Sequence, residues 1–185
     1  MTLTFIFLAV TAIFLIRNYS KDNGRHTVAK IVHAIVLVLI IVIHENSIEQ
    51  VGYLIQHFPE FKARHLDPVG VVPGELNLIT SLLHEILSAL ILFSALSTVK
   101  RTRRSVTLLR ALLVISVPVT VIDYYCLYLT SSTDLPDWMV FGRGAIVIAA
   151  IYFGIFLLYS ARFMREFFRS PEGVSVHHDT SKEQA

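Results

Sequence analysis

Apolar residues gather into five long runs along the chain, at 2–16, 28–43, 76–99, 106–130 and 138–161. A helix needs about 20 mostly apolar residues to cross ~30 Å of hydrocarbon. The pattern therefore predicts an all-α fold, a polytopic transmembrane helical bundle of five spans. The first run, at 15 residues, is the shortest. The alternative is four spans, with an N-terminal helix lying in the interface. One transmembrane domain then covers 1–169. The polar tail over 170–185, with its His177-His178 pair, reads as disordered and solvated.

The second run does not stop cleanly. After His44-Glu45-Asn46-Ser47, apolar residues recur at Ile48, Val51, Ile55 and Phe58, a helical stripe that Pro59 should end. Either one helix runs over 28–58, ~46 Å long, or a hinge at Asn46-Ser47 leads into an interfacial segment. Three prolines and two glycines over 59–74 predict a turn-rich loop. The short basic turn at 100–104 makes the third and fourth helices antiparallel neighbours. Pro118 predicts a kink in the fourth. A turn over 131–137 is flanked by Tyr128 and Trp138, at the depth of an aromatic belt. The fifth run leaves as an aromatic and basic segment over 161–169, suited to the lipid interface.

Charge supplies the orientation. Of 16 lysines and arginines, 13 lie at the first gap, at the third gap or after the last run, and the fourth gap holds none. By the positive-inside rule the N-terminus is outside and the C-terminus in the cytoplasm. The first run has its positive charge behind it, which fits a retained anchor rather than a cleaved signal peptide. Apolar residues make up 54% of the chain and mean hydropathy is +0.62, above the roughly 45–50% apolar content of soluble domains. A multi-pass protein of the bacterial inner membrane is the expectation, without room for a soluble catalytic domain in 185 residues. Lys100, Arg101, Arg103, Arg104, Arg162, Arg165 and Arg169 form a cytoplasmic basic face that meets the lipid bilayer or a cytoplasmic protein partner, not nucleic acid. The single cysteine, Cys126, excludes an intrachain disulfide and any CxxC pattern.

Ionisable side chains inside spans are costly and should face the bundle. They are His33, His44, Glu45, His84, Glu85, Asp123 and Arg143. His84 and Glu85 fall ~14 Å below the outer surface, Asp123 ~10 Å and Arg143 ~8 Å, with His44 and Glu45 near the outer end of the second helix. Three readings compete. In the first, Asp123–Arg143 and the two His-Glu pairs simply pack across helices. In the second, His44, Glu45, His84, Glu85, Asp123 and Arg143 line an outer-half polar pocket or ion path. The third is a metal or haem site. Neighbouring residues on a helix point about 100° apart, whereas di-iron bundles use Glu-x-x-His spacing. His33 and His44 share a face ~16 Å apart, but the histidines that would complete stacked haems are missing. No cofactor or metal is therefore expected. No nucleophile elbow, phosphate loop, zincin or dinucleotide motif occurs, so no catalytic residue is assigned. Small residues at Ser81, Ser88 and Ala95, and at Gly142, Gly144, Ala145, Ala149 and Ala150, predict close helix packing or a homo-oligomer.

One order of features resembles a known family. It runs through Leu83-His84-Glu85-Ile86, the basic turn at 100–104, Arg110, Asp123, Pro136-Asp137 and a final small-residue helix. Over 75–160 this is similar to the phosphate-starvation-inducible, PsiE-type membrane proteins. The resemblance implies fold and little else, and leaves the first helix and His44-Glu45 unaccounted for. In general build the chain also resembles small membrane subunits of bacterial defence systems, such as the membrane component of Kiwa. The resulting expectation is an oligomeric membrane sensor, anchor or channel-like subunit with a cytoplasmic partner. The alternative is a membrane enzyme or electron-transfer subunit using the His/Glu cluster.

Overall fold

A computed structural model describes residues 2–20, 26–44, 46–66, 74–130 and 138–169. Helix accounts for 94% of the structure, and no strand occurs among the described residues. The elements are α1 (Thr2–Tyr19), α2 (Thr27–Ile43), α3 (Ser47–Gln56), α4 (Phe58–Leu66), α5 (Gly74–Ser97), α6 (Arg103–Thr130), α7 (Trp138–Ser160) and α8 (Arg162–Arg169). A single 3₁₀ turn, Thr98–Lys100, follows α5. The expected tail, the 131–137 turn and Glu45 lie outside the described residues.

Among the described residues, four stretches are long and apolar enough to cross a membrane: Thr27–Gln56, Gly74–Lys100, Arg103–Cys126 and Gly142–Ser160. Leu8–Tyr19 is apolar but shorter. Large apolar side chains are exposed on every long helix, among them Ile13, Ile35, Phe93, Ile115, Ile146 and Phe153. Water would penalise such a surface, whereas lipid tails would not.

α5, α6 and α7 pack as consecutive neighbours, and α2 lies against α1 and α5. The core joins Leu37, Ile40 and Ile41 of α2, Ile91 and Leu92 of α5, Leu109 and Leu113 of α6, and Ile155 of α7. Ser81, Ser88 and Ala95 are buried on α5, so this small-residue seam is consumed inside the chain. On α7, Gly144 faces the Tyr124 ring of α6, where a Cβ would lie 3.1 Å from Tyr124 Cε1.

Two sequence expectations are corrected. α3 ends at Gln56, just ahead of Pro59 as expected, but the chain does not then become a loop: Pro59 lies in the first turn of α4, where a missing N–H removes no helical bond. Much of the expected loop is thus helical and packs on α5. The aromatic face of α8 is not offered to lipid either. Met164, Phe167 and Phe168 are buried under the bundle, leaving Arg162, Arg165 and Arg169 outward.

Candidate functional site

The span formed by α2 and α3 is interrupted. His44 N–H still reaches Ile40 O at 3.0 Å, then Ser47 N–H closes a tighter turn on His44 O at 3.1 Å. Gln50 N–H to Asn46 O, at 2.9 Å, restarts the α-helical pattern. The interruption of the hinge reading is therefore observed, but α3 packs on α5 and forms one membrane-length stretch with α2 rather than a separate interfacial segment. His44 is pinned at the break: its ring stacks on Tyr152 at 5.7 Å and its Nε2 lies 3.2 Å from the Tyr152 hydroxyl. Tyr152 is eight residues from the end of α7 at Ser160, or ~12 Å. The break thus sits well inside the bundle. His44 caps the C-terminus of α2, the helix end where the sequence reading placed it, and α3 carries the apolar stretch onward.

A pocket of about 240 Å³ opens beside this break. The broken span contributes His44, Asn46, Ser47 and Gln50; α5 contributes His84, Glu85 and Ser88; Tyr124 and Tyr152 close it from α6 and α7. Asp123 stands next to it, 6% exposed. One carboxylate oxygen accepts from Ser81 Oγ at 2.9 Å. The other is 3.5 Å from His84 Nδ1, a charge-pair distance without hydrogen-bond geometry.

Three of the six residues expected in a polar pocket, His44, His84 and Glu85, do share one. Asp123 adjoins it. Arg143 is exposed and absent from the lining. The Asp123–Arg143 pair is replaced by Ser81 and His84, which reach Asp123 from α5. The sequence reading missed Asn46, Ser47, Gln50, Ser88, Tyr124 and Tyr152. Their spacing alone does not reveal them, since hydroxyls and amides are tolerated on many helix faces.

A second polar constellation lies at the opposite end of α2. Here the C-terminus of α1, the start of α2, the 3₁₀ turn and the α7–α8 junction converge. His33, fully buried, sits 2.7 Å from the Tyr19 hydroxyl through Nδ1 and 2.8 Å from Thr98 Oγ1 through Nε2. Tyr159, Phe167 and Phe168 present edges to its ring at 5.2–5.9 Å. Arg101 locks this cage from the turn. Its Nη2 donates to Phe167 O at 3.0 Å and its guanidinium lies 4.2 Å over the Phe167 ring. It does so from a left-handed backbone, φ 53°, which disfavours a non-glycine residue.

Both His33 nitrogens are thus engaged by hydroxyls, and His44 Nε2 by Tyr152. Among the described residues no three His, Cys, Asp or Glu side chains converge in a metal-binding group. On α8, Arg162 Nε donates to Glu166 at 2.8 Å. That bond holds the Glu166 carboxyl below its usual range and the guanidinium above its own. Both groups are exposed, so the pair adds little to stability.

Over the described residues, fold and site together define an all-helical bundle with four membrane-length apolar helices and a polar pocket beside an interrupted one. No family model, curated protein or solved structure matches the chain.

Proposed function

We propose that this chain is a small multi-pass protein of the bacterial inner membrane, acting as a sensor or channel-like subunit through the pocket at the α2–α3 break. In this reading α1 is a fifth span, the N-terminus is outside and the C-terminus is cytoplasmic. The protein assembles as a homo-oligomer and engages a cytoplasmic protein partner on its basic face. The pattern-level likeness to PsiE-type proteins, and in build to the membrane component of Kiwa, agrees with that architecture.

The observation that carries the proposal is a helix broken beside a polar cavity. Irregular backbone at membrane depth is tolerated where it lines a cavity or is buried in protein. Discontinuous helices of this kind form ion and substrate sites in transporters. Glu85 and the adjacent Asp123 bring two carboxylates to a pocket that Arg143 does not offset. A cation or a proton is the ligand class this charge favours.

The test is flux in liposomes. Wild-type protein should pass protons or cations, and Glu85→Gln should lower the rate. Gly144→Leu should lower it as well, because even a Cβ there meets Tyr124 at 3.1 Å and a larger side chain drives the ring toward the pocket. Equal and negligible leak from wild type and Glu85→Gln would sink the conducting form.

A further inference from the structure

Between the start of α6 and α8 lies an open cleft of about 680 Å³. Five arginines converge on it: Arg103, Arg104 and Arg110 from α6, and Arg165 and Arg169 from α8. No carboxylate lines it among the described residues, and Glu166, the acid of α8, is already held by Arg162 at 2.8 Å. Like charges gathered in one cleft repel unless an anion joins them.

Arg110 makes the cleft more than a basic rim. It lies seven residues into α6, ~10 Å from the helix start. Its guanidinium rests 5.2 Å over the Phe156 ring. Its Nε is shut off from solvent and meets no hydrogen-bond acceptor among the described residues. The same cleft has an apolar wall that includes Leu108, 54% exposed. Charge at the mouth with an apolar wall running into the lipid-facing surface suits an amphiphile better than a free ion.

We propose that this cleft binds one anionic phospholipid, its phosphate held by the arginine cluster and an acyl chain laid along Leu108. Guanidinium groups grip phosphate through paired N–H donors. Basic pockets between helices on the cytoplasmic side are a known form of lipid recognition. The site is separate from the pocket at the helix break and does not depend on what that pocket does.

The full-length protein in mild detergent provides the test, with lipid adducts counted by native mass spectrometry and thermal midpoints read in parallel. Phosphatidylglycerol should bind and raise the midpoint, and phosphatidylcholine should not. R110Q should weaken phosphatidylglycerol binding roughly tenfold or more, the loss of one charged hydrogen-bond donor. R165Q/R169Q changes only outward residues of α8 and should do the same if R110Q folds poorly. R17Q removes one charge, as R110Q does, from the exposed C-terminal turn of α1 outside the cleft and should bind like wild type. An equal loss in R17Q and R110Q would mean bulk charge attraction and overturn the site. Inorganic phosphate or glycerol phosphate matching the lipid's effect would overturn the lipid assignment, as would equal retention of phosphatidylcholine.

Discussion

His33 shows how one polar side chain can be satisfied inside an apolar bundle. Thr98 Oγ1 donates to Ala95 O at 2.6 Å, so its lone pair is left to accept from His33 Nε2–H. Nδ1 must then accept from the Tyr19 hydroxyl, which assigns the neutral tautomer from the network. The relay joins α1, α2 and the turn after α5, three elements far apart in sequence. Breaking it from either end leaves a buried nitrogen without its partner. Tyr19→Phe and Thr98→Val should each cost about 1–3 kcal/mol, and the double variant less than their sum because both act through one ring. Unfolding midpoints in detergent measure this. Losses below about 0.5 kcal/mol in both single variants would show that the relay carries no stability.

At the scale of elements, α4 and α5 meet at a point where only glycine fits. A Cβ on Gly74 would lie 2.7 Å from Leu66 O and 2.8 Å from Leu66 Cα, backbone that cannot swing aside as a side chain can. Gly74→Ala should push α4 from α5 and cost about 1–3 kcal/mol. Gly52→Ala on α3 meets nothing within 4 Å and should be neutral or slightly stabilising, since alanine is the better helix former by about 1 kcal/mol. Equal melting of the two variants would refute the close joint. This joint also marks the limit of what the sequence reveals. The long helices were legible because lipid demands an apolar run whatever a helix packs against. α4 was not, since Phe58-Pro59-Glu60-Phe61 is mixed in character and owes its helix to α5. α8 was half legible: Met164, Phe167 and Phe168 form a helical stripe, but lipid and protein accept such a stripe equally well. In the pocket, His44, His84 and Glu85 stood out because charge in a span is rare. Tyr124 and Tyr152 did not, because tyrosine is common in membrane helices and only the packing shows which rings close a cavity.

For the whole molecule, the contacts fix which helix ends lie together, and the bilayer fixes which side they face. Asn18 Nδ2 donates to Val99 O at 3.0 Å, and Arg101 reaches Phe167 O. The C-terminus of α1, the α5–α6 turn and α8 therefore share one end of the bundle. That end also carries Arg103, Arg104, Arg165 and Arg169, the arrangement that retention of positive charge in the cytoplasm would produce. α1 decides whether four or five spans cross. Its 18 residues reach ~27 Å, and Phe5, Ile6, Ile13 and Ile16 are more than half exposed, which lipid accommodates along a full crossing. Reporter fusions after Asp22, Asp67, Arg103, Asp134 and Glu172 should therefore read cytoplasmic, external, cytoplasmic, external and cytoplasmic in turn. An external signal at Asp22 or a cytoplasmic one at Asp67 would break the order that the paired helix ends require. The span number needs its own probe, because the four-span arrangement gives the same five readings. A tag placed before Thr2 should react with a membrane-impermeant reagent on intact spheroplasts if α1 crosses. Labelling only after lysis would put α1 in the cytoplasmic interface and leave the bundle with four spans.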